Sequence, residues 1–478
     1  MRPLGRWGSL ALAGGARLPC RTRCRAGVRS SVQAVRNAPA PSTPPPDSIP
    51  RRDRPREPRP KPAAAARAVE AELLGVSRTE AAFPTTPRIV STAHGPLRHV
   101  LLWYPPHDPG GDFVFRTAYG DLLRALPATT KVTVVCHPGV ADELEAMVVA
   151  ERSAAATTQI VLTPPSVSFT VWAEDAFVVV DDVAESPPVT FLLEPERFPR
   201  AGDFQLAELV ATGTPLETTQ SPLVFQGGNI LVGDDFVLVG VDYLDDSIRA
   251  VEEGGAVEGY PFGGSADRKR RFVADLFRQS FDPSRAVHFL ASTPRDRPMN
   301  RVVVLDGERW QDDIEAGRGT RQPIFHIDMF VTLAGRGADG RYRVLVGDPG
   351  LADWILGWES VDHDLRAEYD QISAQLDRLG FDVVRTPLPY VSVLEPDAMV
   401  RTWYHATANN CLVAVDGSDR QVWLPTYGHP PFEELSATDA DHRRRWESMG
   451  FEVTQLGDFH PFAMRMGALH CIKKYLAR

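Results

Sequence analysis

From about residue 85 onward, short apolar runs bounded by Gly, Pro, Asn or Asp outnumber stretches with helical spacing. His99-Val100-Leu101-Leu102-Trp103-Tyr104, ended by Pro105-Pro106, has the pattern of a buried strand. Lys131 to Cys136 is a second. Further strands are predicted over 158–162, 176–180, 189–193, 229–232, 236–241, 286–290, 302–305, 324–333, 342–346, 381–385, 411–415, 421–425 and 451–456. Helical spacing is found over 119–126, 267–280, 365–379 and 437–449. Several strands per helix make an α/β body but fit a one-to-one doubly wound sheet poorly. With no interior linker and no fixed-period repeat, residues 86–478 are expected to form one large domain.

Residues 1–85 differ in kind. The first 70 hold 12 prolines and 15 of the 52 basic residues, but only 4 of the 62 acidic ones. No apolar period survives in them, so they are expected to be a disordered basic tail. Before Asp47 there is no acidic residue at all, while arginines are spread throughout. That is the composition of an organelle transit peptide; a flexible tail, or sequence upstream of the true start, has it equally. The body keeps 37 basic against 58 acidic residues, which argues against broad nucleic-acid binding and suits a cationic substrate.

Cysteines at 20, 24, 136, 411 and 471 are too scattered for a disulfide scaffold or a zinc module. A reducing compartment fits, and the cytoplasm is the expected location, with organelle targeting by the tail left open. No apolar run reaches the about 18 residues that a membrane-spanning helix needs. Gln226-Gly227-Gly228-Asn229 lacks the spacing and the basic residue of a phosphate loop, and no Gly-x-Ser-x-Gly elbow is present. Neither a metal nor a cofactor is expected.

What remains is a set of polar residues inside apolar runs. Asp175 is followed at once by Ala176-Phe177-Val178-Val179-Val180, which demands burial, and a buried carboxylate needs a partner. His326 and Asp328 fall in the predicted strand 324–333, whose alternation would send both side chains to one face. Cys471 ends Gly467-Ala468-Leu469-His470-Cys471. Taken singly, a buried cysteine is usually a small hydrophobe, and a His-x-Asp pair is more often a satisfied polar pair than a catalytic one.

In order, however, Trp172-x-x-Asp175, Gly227-Gly228-Asn229, His326-x-Asp328, Asn410 and His470-Cys471 resemble the guanidino-group-modifying superfamily, in particular agmatine deiminases and bacterial peptidylarginine deiminases. The resemblance covers roughly 97–476. It implies a five-bladed ββαβ propeller, the pentein fold, around a central site. It also implies catalytic roles for Cys471, His326, Asp175 and Asp328, and substrate binding by Trp172, Gly227, Gly228, Asn229 and Asn410. Glu174 stands where the family has arginine, and Gln226 where agmatine deiminases usually carry glutamate. The tyrosine-to-asparagine spacing is looser than the family's, which favours Asn410 over Asn409.

The implied chemistry suits these residue types. A guanidinium is planar and always charged, so two carboxylates can pair with its N–H groups and fix its plane. Cys471 would attack the central carbon as a thiolate, and His326 would serve as acid and then as base. The expected reaction is hydrolysis of agmatine, arginine or peptidyl-arginine through a thiouronium adduct, releasing ammonia and leaving a ureido product. An amidinotransferase using the same site, or a propeller that binds without turnover, is the alternative. The expected partner is a small cationic guanidino substrate; nucleic acid and membrane are not expected, and a homodimer is left open.

Overall fold

The computed structural model describes residues 83–106, 115–254, 257–293, 300–314, 321–361 and 363–478. The expectations for residues 1–82 lie outside the described residues. Five of the six sheets among those residues repeat one pattern: two antiparallel strands, then helix, then a third strand parallel to the second. The first joins Val178–Asp182, Val189–Glu194 and Glu217–Gln220, with Pro87–Ile89 added at its edge. The second joins Ile230–Val232, Phe236–Gly240 and Ala286–Leu290. The third joins Val331–Arg336, Tyr342–Asp348 and Asp382–Pro387. The fourth joins Leu412–Asp416, Asp419–Thr426 and Glu452–Asp458.

The fifth unit is assembled from both ends of the body. Lys473–Ala477 lies antiparallel to His99–Tyr104, which runs parallel to Lys131–Cys136, and Thr158–Leu162 extends the sheet. Five residues of His99–Tyr104 are fully buried, as expected of a strand covered on both faces. Helix Ala266–Phe281 shows why helices fill the gaps. Ser265 caps it by accepting from the Arg268 amide, and Val273, Phe277 and Phe281 are spaced to bury one stripe. No helix among the described residues is long and apolar enough to cross a membrane.

The sixth sheet, Asn300–Leu305, Glu308–Asp313, Val400–His405 and Tyr390–Glu395, is inserted between strands of the repeated units and follows a different pairing order. Two sequence expectations are corrected. The strand predicted over 324–333 begins only at Val331, and a 3-10 turn, Ile327–Met329, precedes it. Its backbone is drawn out of a ladder by side chains: Asn229 Oδ1 takes the Ile327 amide at 3.0 Å, and Gln322 Nε2 donates to the carbonyls of Ile324 and Phe325. The strand predicted from Asn229 likewise starts after a 3-10 turn, Gly227–Asn229. Helix Val241–Gly254, unread in the sequence, follows directly on Phe236–Gly240.

Candidate active site

Each of the five repeated units begins with a turn that leads into its first strand, and those five turns carry the polar groups. Asp175 precedes Val178–Asp182, Gly228 precedes Ile230–Val232, and His326 and Asp328 precede Val331–Arg336. Asn410 precedes Leu412–Asp416, and Cys471 precedes Lys473–Ala477. Repetition of the fold therefore repeats the position of the chemistry.

Gly228 shows how tightly the turns meet. A Cβ there would stand 2.6 Å from His326 Nδ1, 3.1 Å from Asp175 Oδ1 and 3.2 Å from Asp328 Oδ2. Any side chain at 228 would fill the space these three groups face. The Cys471 thiol lies 3.6 Å from Asp328 Oδ2, and Asn410 holds its residue from both sides. Asn410 Nδ2 donates to Sγ at 3.2 Å, and its Oδ1 accepts the Cys471 amide at 3.2 Å. The structure thus brings together Asp175, His326, Asp328, Cys471, Gly228 and Asn410. Asn409 points elsewhere, to Thr332 and Thr386.

The other expected binding residues hold the walls. Asn229 spends its Oδ1 on the Ile327 amide and on Gln322, so it positions the His326–Asp328 turn. A Cβ at Gly227 would stand 1.9 Å from the Glu174 carbonyl, so glycine permits two turns to touch. Trp172 packs edge-on against Phe462, and a Cβ at Gly467 would stand 2.2 Å from its ring. It buttresses the segment leading to Cys471.

Both carboxylates are held by one oxygen. Arg200 donates to Asp175 Oδ2 at 2.7 Å and also pairs with Asp203, while Asp175 Oδ1 has no partner and faces His326 Nδ1 at 3.6 Å. His470 Nδ1 is hydrogen-bonded to Asp328 Oδ2 at 2.8 Å, and Asp328 Oδ1 is unpartnered. Burial pushes the Asp328 carboxyl well above the usual range, and Asp175 and Glu174 push it further. Burial also raises the Cys471 thiol far above its ordinary value, reinforced by Asp328 and Asp175. Burial lowers His326 to about 4 against the opposing pull of Asp175. The resting site therefore holds a thiol and a neutral imidazole, and an entering cation would favour the ionised acids.

Arg200, Tyr243 and the pair Lys473 and Lys474 escaped the sequence reading, and His470 was read only as part of the motif that ends in Cys471. The lysines had a signal: two cations in an apolar segment must answer a buried anion. That anion is Glu174, at 2.7 Å from Lys473 and 2.9 Å from Lys474. Burial would raise its carboxyl, but the two ammonium groups overcome this and hold it at about 2. Glu174 also donates its amide to the Cys471 carbonyl, so the ion triad clamps the nucleophile's strand to the Asp175 turn. Among the described residues no three of His, Cys, Asp and Glu are grouped as metal ligands.

No protein-family model matches the sequence, and no curated protein does. Solved structures do match. One, provisionally named an agmatine deiminase, is 13% identical with a TM-score of 0.54, covering 84% of this chain and 100% of its own. A second, provisionally named a peptidyl-arginine deiminase, is 14% identical with a TM-score of 0.51, covering 82% and 99%. The agmatine deiminase of C. jejuni is 11% identical with a TM-score of 0.50, covering 82% and 96%. With six sheets among the described residues, five of them built alike, and with nearly the whole length of each relative covered, the chain has the mixed α/β fold of these deiminases.

Proposed function

We propose that the chain is a cysteine hydrolase of guanidino groups, with its five repeated units set as the blades of a propeller around the site. The observation that carries this is the ring of groups about Gly228: two buried carboxylates with unpartnered oxygens, a neutral imidazole and a buried thiol. Buried carboxylates short of donors are costly, and a planar cation rich in N–H donors relieves both. Its arrival also favours the thiolate, because it offsets the two carboxylates that oppose ionisation.

In this reaction the Cys471 thiol gives its proton to His326, and sulfur bonds to the guanidinium carbon. The carbon–nitrogen bond to the leaving amine breaks as His326 returns that proton, and ammonia departs. Water then attacks the thiouronium carbon, His326 takes a proton from it, and the carbon–sulfur bond breaks. The ureido product leaves and the thiol is restored. Small molecules such as agmatine or arginine are favoured over peptidyl-arginine.

The test is incubation with agmatine, arginine and an arginyl peptide, reading ammonia and ureido product, with Cys471→Ala alongside. Ammonia from none of them, or equal ammonia from the variant, would remove this assignment. Transfer to an added amine without ammonia would make the protein an amidinotransferase.

A further inference from the structure

We propose that Tyr243 is the positioning residue of the base: its phenolic oxygen accepts the Nε2 proton of His326 and leaves Nδ1 bare toward the space at Gly228 that Asp175 and Asp328 share. The proposal rests on the hydrolase assignment above and adds to it a residue from outside the five turns. Tyr243 sits in the first turn of helix Val241–Gly254, which belongs to the second unit, whereas His326 opens the third. Its hydroxyl lies 3.1 Å from His326 Nε2, both side chains are buried, and the rings meet edge-on at 6.4 Å between centroids.

The two nitrogens of the ring have different surroundings. Nδ1 faces the point at Gly228 shared with Asp175 and Asp328, and at 3.6 Å from Asp175 Oδ1 it is beyond hydrogen-bonding distance. Nε2 has Tyr243. A ring that takes a proton from Cys471 must offer Nδ1 unprotonated, so its own proton belongs on Nε2, where only an acceptor can hold it. The phenol supplies that acceptor.

A phenol suits this place better than a carboxylate would. A neutral phenol can accept the Nε2 proton without adding a further charge to a site that already holds two carboxylates. Burial, and then Asp175, push the Tyr243 hydroxyl well above its ordinary value, so it stays neutral at every working pH. It nevertheless accepts from the imidazolium formed during turnover, and it needs no movement to do so. The charges around the ring are Asp175, Glu174 and Arg200, with Asp328 across the Gly228 space; none of them hydrogen-bonds Nε2.

The experiment is nitrogen NMR of histidine-labelled protein at neutral pH, with His326 assigned by its loss in His326→Gln. Full-length wild type, Tyr243→Phe and protein carrying 3-fluorotyrosine at 243 are compared, and thermal melts confirm folding. Wild type is expected to show His326 protonated at Nε2, with the bias lost in Tyr243→Phe. In the turnover assay Tyr243→Phe should lose about tenfold in kcat with KM little changed, a small share of the about 10²–10⁴ that general acid–base catalysis contributes. The fluorinated protein, a weaker acceptor of unchanged shape, should fall between the two. Wild-type His326 protonated at Nδ1, or a tautomer indifferent to the phenylalanine, overturns the proposal. If no guanidino compound is turned over, the hydrolase assignment fails while the NMR comparison still decides the role of Tyr243.

Discussion

Two buried aspartate environments in this molecule are built on opposite principles. Asp312, in the inserted sheet, is fully buried and saturated with donors. Arg401 reaches its two oxygens at 2.5 and 2.8 Å, Arg301 at 2.9 Å and Trp403 Nε1 at 3.2 Å. Burial would raise its carboxyl, but those partners overcome this and lower it. Asp328, just as deeply buried, has one imidazole and a thiol, and an oxygen with no partner. Its carboxyl goes up. A saturated buried charge holds strands together, whereas one kept short of donors is available to a ligand.

The largest expected effect tests the available side of that contrast. Cys471→Ala should reduce turnover by more than about 10⁴-fold while guanidinium binding persists, because the carboxylates remain. Cys411→Ala should cost stability and leave the chemistry alone; burial pushes that thiol above the working range, and it belongs to the same buried apolar cluster as Leu333, Val413 and Val415. Residual hydrolysis in Cys471→Ala, measured as ammonia release, would break the contrast at its centre.

Next is the saturated side. Asp312→Ala leaves the buried Arg401 without its counter-ion and should cost about 3–5 kcal/mol in urea unfolding, the usual penalty of breaking a buried pair. Asp328→Asn should do the reverse. It removes a carboxyl whose charged form burial already disfavours, so stability should hold or rise by about 1 kcal/mol while guanidinium affinity falls. A loss of stability at 328 equal to that at 312 would show that the two sites differ in nothing essential.

The smallest effect concerns protons. His326 in the site and His442, which binds the Pro387 carbonyl away from it, are both lowered by burial from 6.5 to about 4. The unfolded chain binds protons at these positions between those values and the folded one does not. Stability is therefore complete above pH 6.5 and is lost as pH falls toward 4. Melting temperatures across that window should decline, and His442→Gln should flatten the decline without touching turnover. An unchanged slope in His442→Gln would mean that this buried imidazole does not govern the acid limb.

The sequence displayed the site's members better than their surroundings. Cys471, His326, Asp328 and Asp175 stand out because each is polar in an apolar run, and local context is what a chain read in order displays. Arg200 and Tyr243 lie in ordinary surface-like and helical segments, and only contacts 25 and 83 residues long give them meaning. The strand predicted over 324–333 failed for the same reason: Asn229 and Gln322 captured its backbone from a distance. The repeat of five units left no period because the helical crossovers differ so much. One runs from Glu194 to Glu217 and another from Gly240 to Ala286. The pairing of Glu174 with Lys473 and Lys474 went unread, although two lysines in an apolar segment called for a buried anion.

The fifth unit pairs His99–Tyr104 with Lys473–Ala477. During synthesis, therefore, its apolar early strand waits for a partner that does not exist until nearly the whole body has left the ribosome. At about 5–20 residues per second that wait is on the order of tens of seconds. The exposed edge through that interval is a place for chaperones to bind and for misassembly to begin. The thiol arrives with the same late segment, so four of the five turns can be in place before the molecule carries its nucleophile.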